Sequence, residues 1–85
     1  MKKNILIFTA RYCGKCFALK KRIDGLVKDK TYSFEHRYID VEVEKAEVKK
    51  HYVEGVPTLI YYEDNQEIRR LTGSIIREDL IELLK

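Results

Sequence analysis

The stretch "RYCGKC", residues 11–16, holds both cysteines of an 85-residue chain. It lies between the apolar run "NILIFTA" (4–10) and the segment "FALKKRIDGLV" (17–27). A short apolar run rich in branched residues is typical of a buried strand, and Leu19, Ile23 and Leu26 recur at the spacing of one helix face. The sequence therefore predicts that the two cysteines lie at the junction between a strand at 4–9 and a helix at about 14–29.

The rest of the chain predicts three more strands and two more helices. The strands are expected at 34–41, 58–62 and 67–72, with Asp64-Asn65 as a hairpin turn, and the helices at 44–52 and about 76–84. The order βαβαββα indicates an α/β fold with a four-stranded mixed sheet flanked by three helices on both faces. We expect residues 1–85 to form a single domain, since a chain of this length is too short for two.

Composition restricts the class of function. Hydrophobic residues make up 45% and charged residues 36% of the chain, with a formal net charge of +3, as in ordinary globular proteins. The lysine clusters alternate with acids, which favours solvated helix faces over a nucleic-acid patch. The apolar run at 5–10 is too short for a signal peptide or a membrane span. We expect a cytoplasmic monomer that binds neither nucleic acid nor membranes.

Three uses of the cysteine pair differ in what else they need. A structural zinc site needs four ligands, and His36 and His51 are not spaced as in a zinc finger, so no metal site is expected. A structural disulfide is rare in the cytosol and gains little from closing so short a loop. A working redox pair is the favoured interpretation; a metal cluster shared between two chains remains open.

Helix geometry supports the redox interpretation. Cys16 begins the apolar stripe of the helix and Cys13 lies one turn earlier, which places their Cα atoms about 5 Å apart, within the range for a disulfide. A thiolate at Cys13 would face the free N–H groups of the helix start, which lowers a thiol pKa below its usual value of ~8.5. Arg11 and Lys15 add positive charge nearby and are candidates for tuning this pKa, although Lys15 could equally be an ordinary surface residue.

The chain resembles the thioredoxin superfamily. The resemblance rests on "RYCGKC" after the strand "NILIFT", on "GVPT" at 55–58, and on the hairpin followed by "TGS" at 72–74 and a last helix. The chain opens at the strand before the cysteines, without the additional βα unit of a full thioredoxin. In this it is similar to glutaredoxins and to small thioredoxin-like proteins.

The resemblance implies a role for each matching residue. Cys13 would attack a target disulfide, Cys16 would resolve the mixed disulfide, and Pro57 would follow a cis peptide bond and present the backbone of Val56 to a substrate. The other implied substrate-binding residues are Tyr12, Gly14 and Gly73. The resemblance implies no bound cofactor beyond the redox-active disulfide. Its partners would be disulfide-containing proteins and a flavoenzyme similar to thioredoxin reductase, or glutathione in its place.

Two departures from the family pattern leave alternatives open. Thioredoxins carry a buried aspartate where this chain has Ile7, so Cys16 needs another proton acceptor, and His36 on the neighbouring strand is one candidate. The stretches "GVPT" and "TGSIIRED" match the glutathione grip of glutaredoxins only in part. We therefore favour a thioredoxin-like reductase of protein disulfides. A glutaredoxin-type enzyme and a redox-inert partner-binding module are the alternatives.

Overall fold

A computed structural model describes all 85 residues and contains four strands and three helices. The elements are β1 (Lys3–Thr9), α1 (Gly14–Lys28), β2 (Glu35–Asp40), α2 (Lys45–Lys50), β3 (Thr58–Glu63), β4 (Gln66–Thr72) and α3 (Arg77–Leu84). The order βαβαββα is the one that the sequence predicts, and most boundaries agree to within one or two residues.

The four strands form one mixed sheet in the order β2-β1-β3-β4. Strand β1 pairs in parallel with β2 and antiparallel with β3, and β3 pairs antiparallel with β4. The predicted four-stranded mixed sheet is therefore confirmed. Its centre is β1, the strand that runs directly into the cysteine loop.

Strand β1 is apolar on both faces because both faces of the sheet are covered. Ile5 and Ile7 face the larger core, which contains the buried leucine and isoleucine residues of α1 and the buried leucines of α3. Phe8 lies in a smaller core on the other face, with Ile39 and Ile60. Burial on both sides explains why this strand is a continuous apolar run and not an alternating pattern.

Helix α1 positions the cysteines relative to the core. Its buried residues are Cys16, Leu19, Ile23 and Leu26, the stripe that the sequence spacing predicts. The helix ends at Lys28, where the N–H of Asp29 donates to the carbonyl of Leu26. Its 15 residues make it the longest helix, and no helix is long and apolar enough to cross a membrane.

Helix α2 is shorter than the expected 44–52. It ends at Lys50, and Tyr52 adopts a left-handed conformation with φ of 54°. Beyond the helix end, the N–H groups of Tyr52 and Val53 donate to the carbonyls of Lys49 and Val48 at 3.3 and 3.0 Å. This is the Schellman arrangement that terminates many helices, usually with glycine at the left-handed position. Tyrosine at that position gave no stop signal in the sequence.

The hairpin between β3 and β4 turns where the sequence predicts. Asp64 and Asn65 have φ values of 51° and 70°. Positive φ at both central residues is the geometry of the two-residue turn that matches the twist of paired strands. The turn is also tied to the residue before β1, because the N–H of Lys2 donates to the Asp64 carboxylate at 2.8 Å.

Candidate redox site

Cys13 is the N-cap residue of α1. Its backbone is extended, with φ of −116° and ψ of 104°, and its sulfur accepts a hydrogen bond from the N–H of Cys16 at 3.2 Å. Its carbonyl accepts from the N–H of Phe17 at 3.0 Å. The sulfur thus takes the position that a serine or aspartate oxygen takes at many helix starts. A thiolate at this position would accept the same bond and face the positive end of the helix dipole.

Cys13 and Cys16 form a disulfide whose Cα atoms lie 5.2 Å apart. Cys16 is only 4% exposed and belongs to the core, whereas Cys13 is partly exposed. One sulfur can therefore meet a partner from solvent while the other lies beneath it. This is the arrangement that thiol–disulfide exchange through a mixed disulfide requires.

The first turn of α1 contains no acidic residue. Arg11 and Lys15 on either side of Cys13 are exposed, and neither takes part in any of the six ion pairs of the structure. Their charges are consequently not neutralised by a neighbouring carboxylate. Their influence on the Cys13 thiol stays a prediction.

Three chain segments meet at the end of β1, where the chain continues into the cysteine loop. The register places Thr58 opposite both Phe8 and Thr72, so Pro57 and Gly73 lie just beyond the paired strands. The N–H of Gly73 donates to the carbonyl of Pro57 at 3.1 Å. The peptide bond before Pro57 is cis, as the resemblance implies. Val56, next to it, is partly exposed.

Tyr12 and Gly14 flank Cys13 on the surface. Tyr12 is fully exposed, at 103% of its reference area, and has φ of 54°, a left-handed conformation that is uncommon for a non-glycine residue. Gly14 has no atom within 4 Å of the position that a Cβ would occupy. The ring of Tyr12 and the open space above Gly14 therefore leave the Cys13 side of the loop accessible. Their role in substrate binding stays a prediction.

A groove of about 530 Å³ runs from the cysteine loop along α1 to the end of β2. Beyond the loop residues, its lining includes Phe17, Lys20, Tyr38 and Asp40. None of these four is among the site residues predicted from the sequence. Phe17 could have been predicted from the sequence. It lies outside the buried stripe of an amphipathic helix, where an aromatic side chain is expected to be exposed. Tyr38 and Asp40 alternate with the buried Ile39 and so share the opposite face of β2.

Tyr38 forms the far wall of this groove. Burial, with the nearby Asp24 carboxylate as a second cause, raises the pKa of Tyr38 to about 12. Its hydroxyl is buried without a hydrogen-bond partner. The ammonium group of Lys20 lies 5.4 Å from the centre of the Tyr38 ring. The phenol stays neutral at physiological pH and cannot serve as a base.

The position of the family's buried aspartate is taken by Ile7, which is fully buried and offers Cys16 no carboxylate. The residue opposite Ile7 on β2 is Tyr38, while His36 pairs with Ile5 and is exposed. The ring of His36 packs between Phe34 and Tyr38, at 6.0 and 5.6 Å between ring centres. These contacts favour an exposed strand histidine over a partner of Cys16. No three histidine, cysteine, aspartate or glutamate side chains lie close enough together to hold a metal ion.

Comparison with known proteins agrees with this geometry. The family model described as "Thioredoxin" matches residues 1–85. The chain belongs to the thioredoxin family. A thioredoxin-like protein of Synechocystis is 31% identical over 84 residues, covering 99% of this chain and 77% of that protein. A thioredoxin of Mycoplasmoides gallisepticum is 30% identical over 86 residues, covering 99% and 83%.

Solved structures show the same fold. A thioredoxin variant from Halobacterium salinarum superposes with a TM-score of 0.86 at 25% identity, covering 98% of this chain and 72% of that one. A thioredoxin of Fasciola hepatica gives the same TM-score at 24% identity, covering 98% and 78%. The thioredoxin-like fold is therefore confirmed. The family and the Cys13–Cys16 pair together support thiol–disulfide oxidoreductase activity.

Proposed function

We propose that this chain reduces protein disulfides through a dithiol/disulfide cycle of Cys13 and Cys16. One observation carries the proposal: a partly exposed sulfur caps the start of α1 and is bonded to a second sulfur that is buried below it. Relatives named thioredoxin share this family assignment. We further propose that residues 1–85 act as one thioredoxin-like unit.

The cycle begins with Cys13 as the nucleophile. Its thiolate attacks one sulfur of the target disulfide, the target S–S bond breaks, and the second target sulfur leaves as a thiolate that takes a proton from water. The free N–H groups at the helix start stabilise the attacking thiolate. The product of this step is a mixed disulfide between Cys13 and the target.

Cys16 completes the transfer of two electrons. Its sulfur attacks the sulfur of Cys13, the mixed disulfide breaks, and the proton of Cys16 passes to the leaving target sulfur, so that the target leaves with both of its sulfurs reduced. The separation of 5.2 Å between the Cα atoms lets this disulfide form without backbone rearrangement. Burial of Cys16 keeps it from competing with Cys13 for the incoming target.

A flavin-dependent reductase similar to thioredoxin reductase is the proposed source of electrons. The sequence supports this over glutathione, because the stretches at 55–58 and 72–79 match a glutathione grip only in part. A reducing compartment such as the cytoplasm would keep the pair in its dithiol form between cycles. Disulfide-containing proteins are the proposed substrates.

Single-cysteine variants test the cycle, with insulin as the disulfide-containing target. Cys13→Ser should abolish reduction of insulin by the pre-reduced chain, because the nucleophile is lost. Cys16→Ser should form a mixed disulfide with insulin, seen as a mass increase that dithiothreitol reverses. Full activity of Cys13→Ser would overturn the proposed role of this cysteine. Failure of the unsubstituted chain to reduce insulin would favour the redox-inert binding module.

A second measurement separates the two electron sources. Turnover of insulin is measured with a bacterial thioredoxin reductase plus NADPH and, in parallel, with glutathione, glutathione reductase and NADPH. We expect turnover in the first system to exceed that in the second by at least about tenfold. Activity in the glutathione system alone would assign the chain to the glutaredoxin-type alternative.

A further inference from the structure

A strip of aromatic and basic side chains continues from the cysteine loop along α1. This aromatic–basic strip consists of Tyr12, Phe17, Lys20 and Lys21. Phe17, Lys20 and Lys21 are spaced by three and four residues and share one helix face. Tyr12 is fully exposed and Phe17 is 63% exposed, although large aromatic side chains usually bury most of their area.

The charges of the strip are held in place without being neutralised. The ammonium group of Lys21 lies 4.8 Å from the centre of the Phe17 ring, and that of Lys20 lies 5.4 Å from the centre of the Tyr38 ring. A ring face orients an ammonium group but leaves its net charge at +1. Neither lysine takes part in an ion pair.

The only carboxylate in the lining of the groove is already engaged. An oxygen of Asp40 accepts a hydrogen bond from the N–H of Glu42 at 2.9 Å, and the backbone carbonyl of Asp40 accepts from Val43 and Glu44. Asp40 therefore serves the turn after β2. The groove lining holds two cations, Arg11 and Lys20, against the single acid Asp40, and therefore has a formal net positive charge. Lys21 lies outside the lining, and the Asp24 carboxylate lies near Tyr38.

We propose that the aromatic–basic strip binds an acidic segment of the disulfide-bearing substrate, next to the cysteine that Cys13 attacks. This inference rests on the proposed function and specifies its substrate class. An apolar side chain of the segment would lie against Phe17 and Tyr12, and its carboxylates would meet Lys20 and Lys21. Tyr12, Phe17 and Lys20 of the strip line the same groove as Cys13, so a chain bound there is positioned for sulfur exchange.

Two disulfide-linked peptide dimers test this preference. Each strand carries one cysteine and an adjacent leucine, flanked by glutamates in one peptide and by lysines in the other. The chain is reduced with dithiothreitol, freed of it, and mixed with each peptide for a single turnover. In that turnover the Cys13–Cys16 dithiol becomes a disulfide and each peptide disulfide becomes two thiols, which are counted after acid quenching.

The acidic peptide should be reduced about fivefold to tenfold faster at low salt, and the ratio should fall towards one in 0.5 M salt. The double variant Lys20→Glu/Lys21→Glu should reverse the preference. The matched control is Lys28→Glu/Lys30→Glu, which makes the same charge change at and just beyond the end of α1, and should keep the preference. Lys28 lies about 12 Å further along the helix than Lys20. Phe17→Ala should slow both peptides alike.

Reduction of the uncharged disulfide 2,2′-dithiodipyridine separates the possible failures. If the chain reduces this reagent but reduces both peptides at equal rates, the strip does not select substrates and the inference is wrong. If it reduces neither reagent nor peptides, the proposed oxidoreductase function itself fails. If light scattering shows a dimer that Lys20→Glu/Lys21→Glu dissociates, the strip binds a second copy and the inference is overturned.

Discussion

Helices α1 and α3 begin in different ways, although both starts present free backbone N–H groups. At α3, a carboxylate oxygen of Asp79 accepts from the N–H of Ile76 at 3.0 Å, and Glu78 adds a second acid to the first turn. Because isoleucine offers no side-chain acceptor, only one half of a capping box is made there. At α1, the sulfur of Cys13 is the cap and the first turn holds no acid.

The difference separates a structural helix start from a chemical one. Acids in the first turn stabilise α3 by neutralising the positive end of its dipole. An acid in the first turn of α1 would stabilise the helix in the same way but would also oppose a thiolate at Cys13. The start of α1 thus has no fixed negative charge, and its free N–H groups can stabilise the Cys13 thiolate, which is present only in the reduced state.

An acid placed at the start of α1 should have the largest effect on Cys13. Lys15→Glu should raise the pKa of the Cys13 thiol and slow its alkylation by iodoacetamide about threefold to tenfold near neutral pH, since it replaces attraction of the thiolate by repulsion. Both chains carry Cys16→Ser, so that only Cys13 reacts. Lys28→Glu at the other end of α1 is the control. Superimposable pH–rate profiles would remove Lys15 from the tuning of Cys13.

The capping role of Cys13 is tested by stability in the reduced state, where no disulfide contributes. Cys13→Ala should lower the free energy of unfolding by about 1 kcal/mol relative to Cys13→Ser, because serine offers an oxygen to the N–H of Cys16 and alanine offers nothing. Urea unfolding under dithiothreitol measures the difference. Equal stabilities would show that the bond to the sulfur contributes nothing to α1.

At α3 we expect an effect on stability alone. Asp79→Ala should lower the free energy of unfolding by about 0.5–1 kcal/mol, through loss of the bond to Ile76 and of a charge at the helix start. The alkylation rate of Cys13 should not change. A change in that rate would mean that the two helix starts are coupled and that the comparison is too simple.

The end of α2 provides the smallest test, at a helix terminus without chemistry. Tyr52→Gly should raise the free energy of unfolding by about 0.5 kcal/mol. Glycine adopts positive φ without steric cost, and we expect this gain to exceed the additional backbone entropy that glycine loses on folding. Lys49→Gly, within α2, should instead lower it by about 1 kcal/mol. Thermal unfolding of the reduced proteins compares them. A loss of stability in Tyr52→Gly would show that the tyrosine ring contributes contacts that outweigh its backbone conformation.

Much of the fold could be predicted from local patterns. The two-sided burial of β1, the stripe that starts at Cys16 and the turn at Asp64-Asn65 all follow from residue spacing and backbone preference. The end of α2 could not, because the stop depends on Tyr52 adopting a conformation that its side chain disfavours. Local sequence carries no signal for such a residue.

The site could be predicted in its chemistry but not in its surroundings. The cysteines and the cis proline follow from motif and resemblance, whereas strand register had to be observed. Register decides that Tyr38 and not His36 lies opposite Ile7. It also brings Tyr38 and Asp40 from β2 to the groove beside α1, a long-range arrangement that no short segment encodes.

The central position of β1 has a consequence for dynamics. This strand is bonded to neighbours on both sides and covered on both faces, so its amide hydrogens should exchange with solvent only when the whole molecule unfolds. The loop that carries Cys13 is attached directly to this slowest-exchanging segment. The two cysteines can therefore be oxidised and reduced in turn while β1, to which their loop is attached, stays folded and hydrogen-bonded.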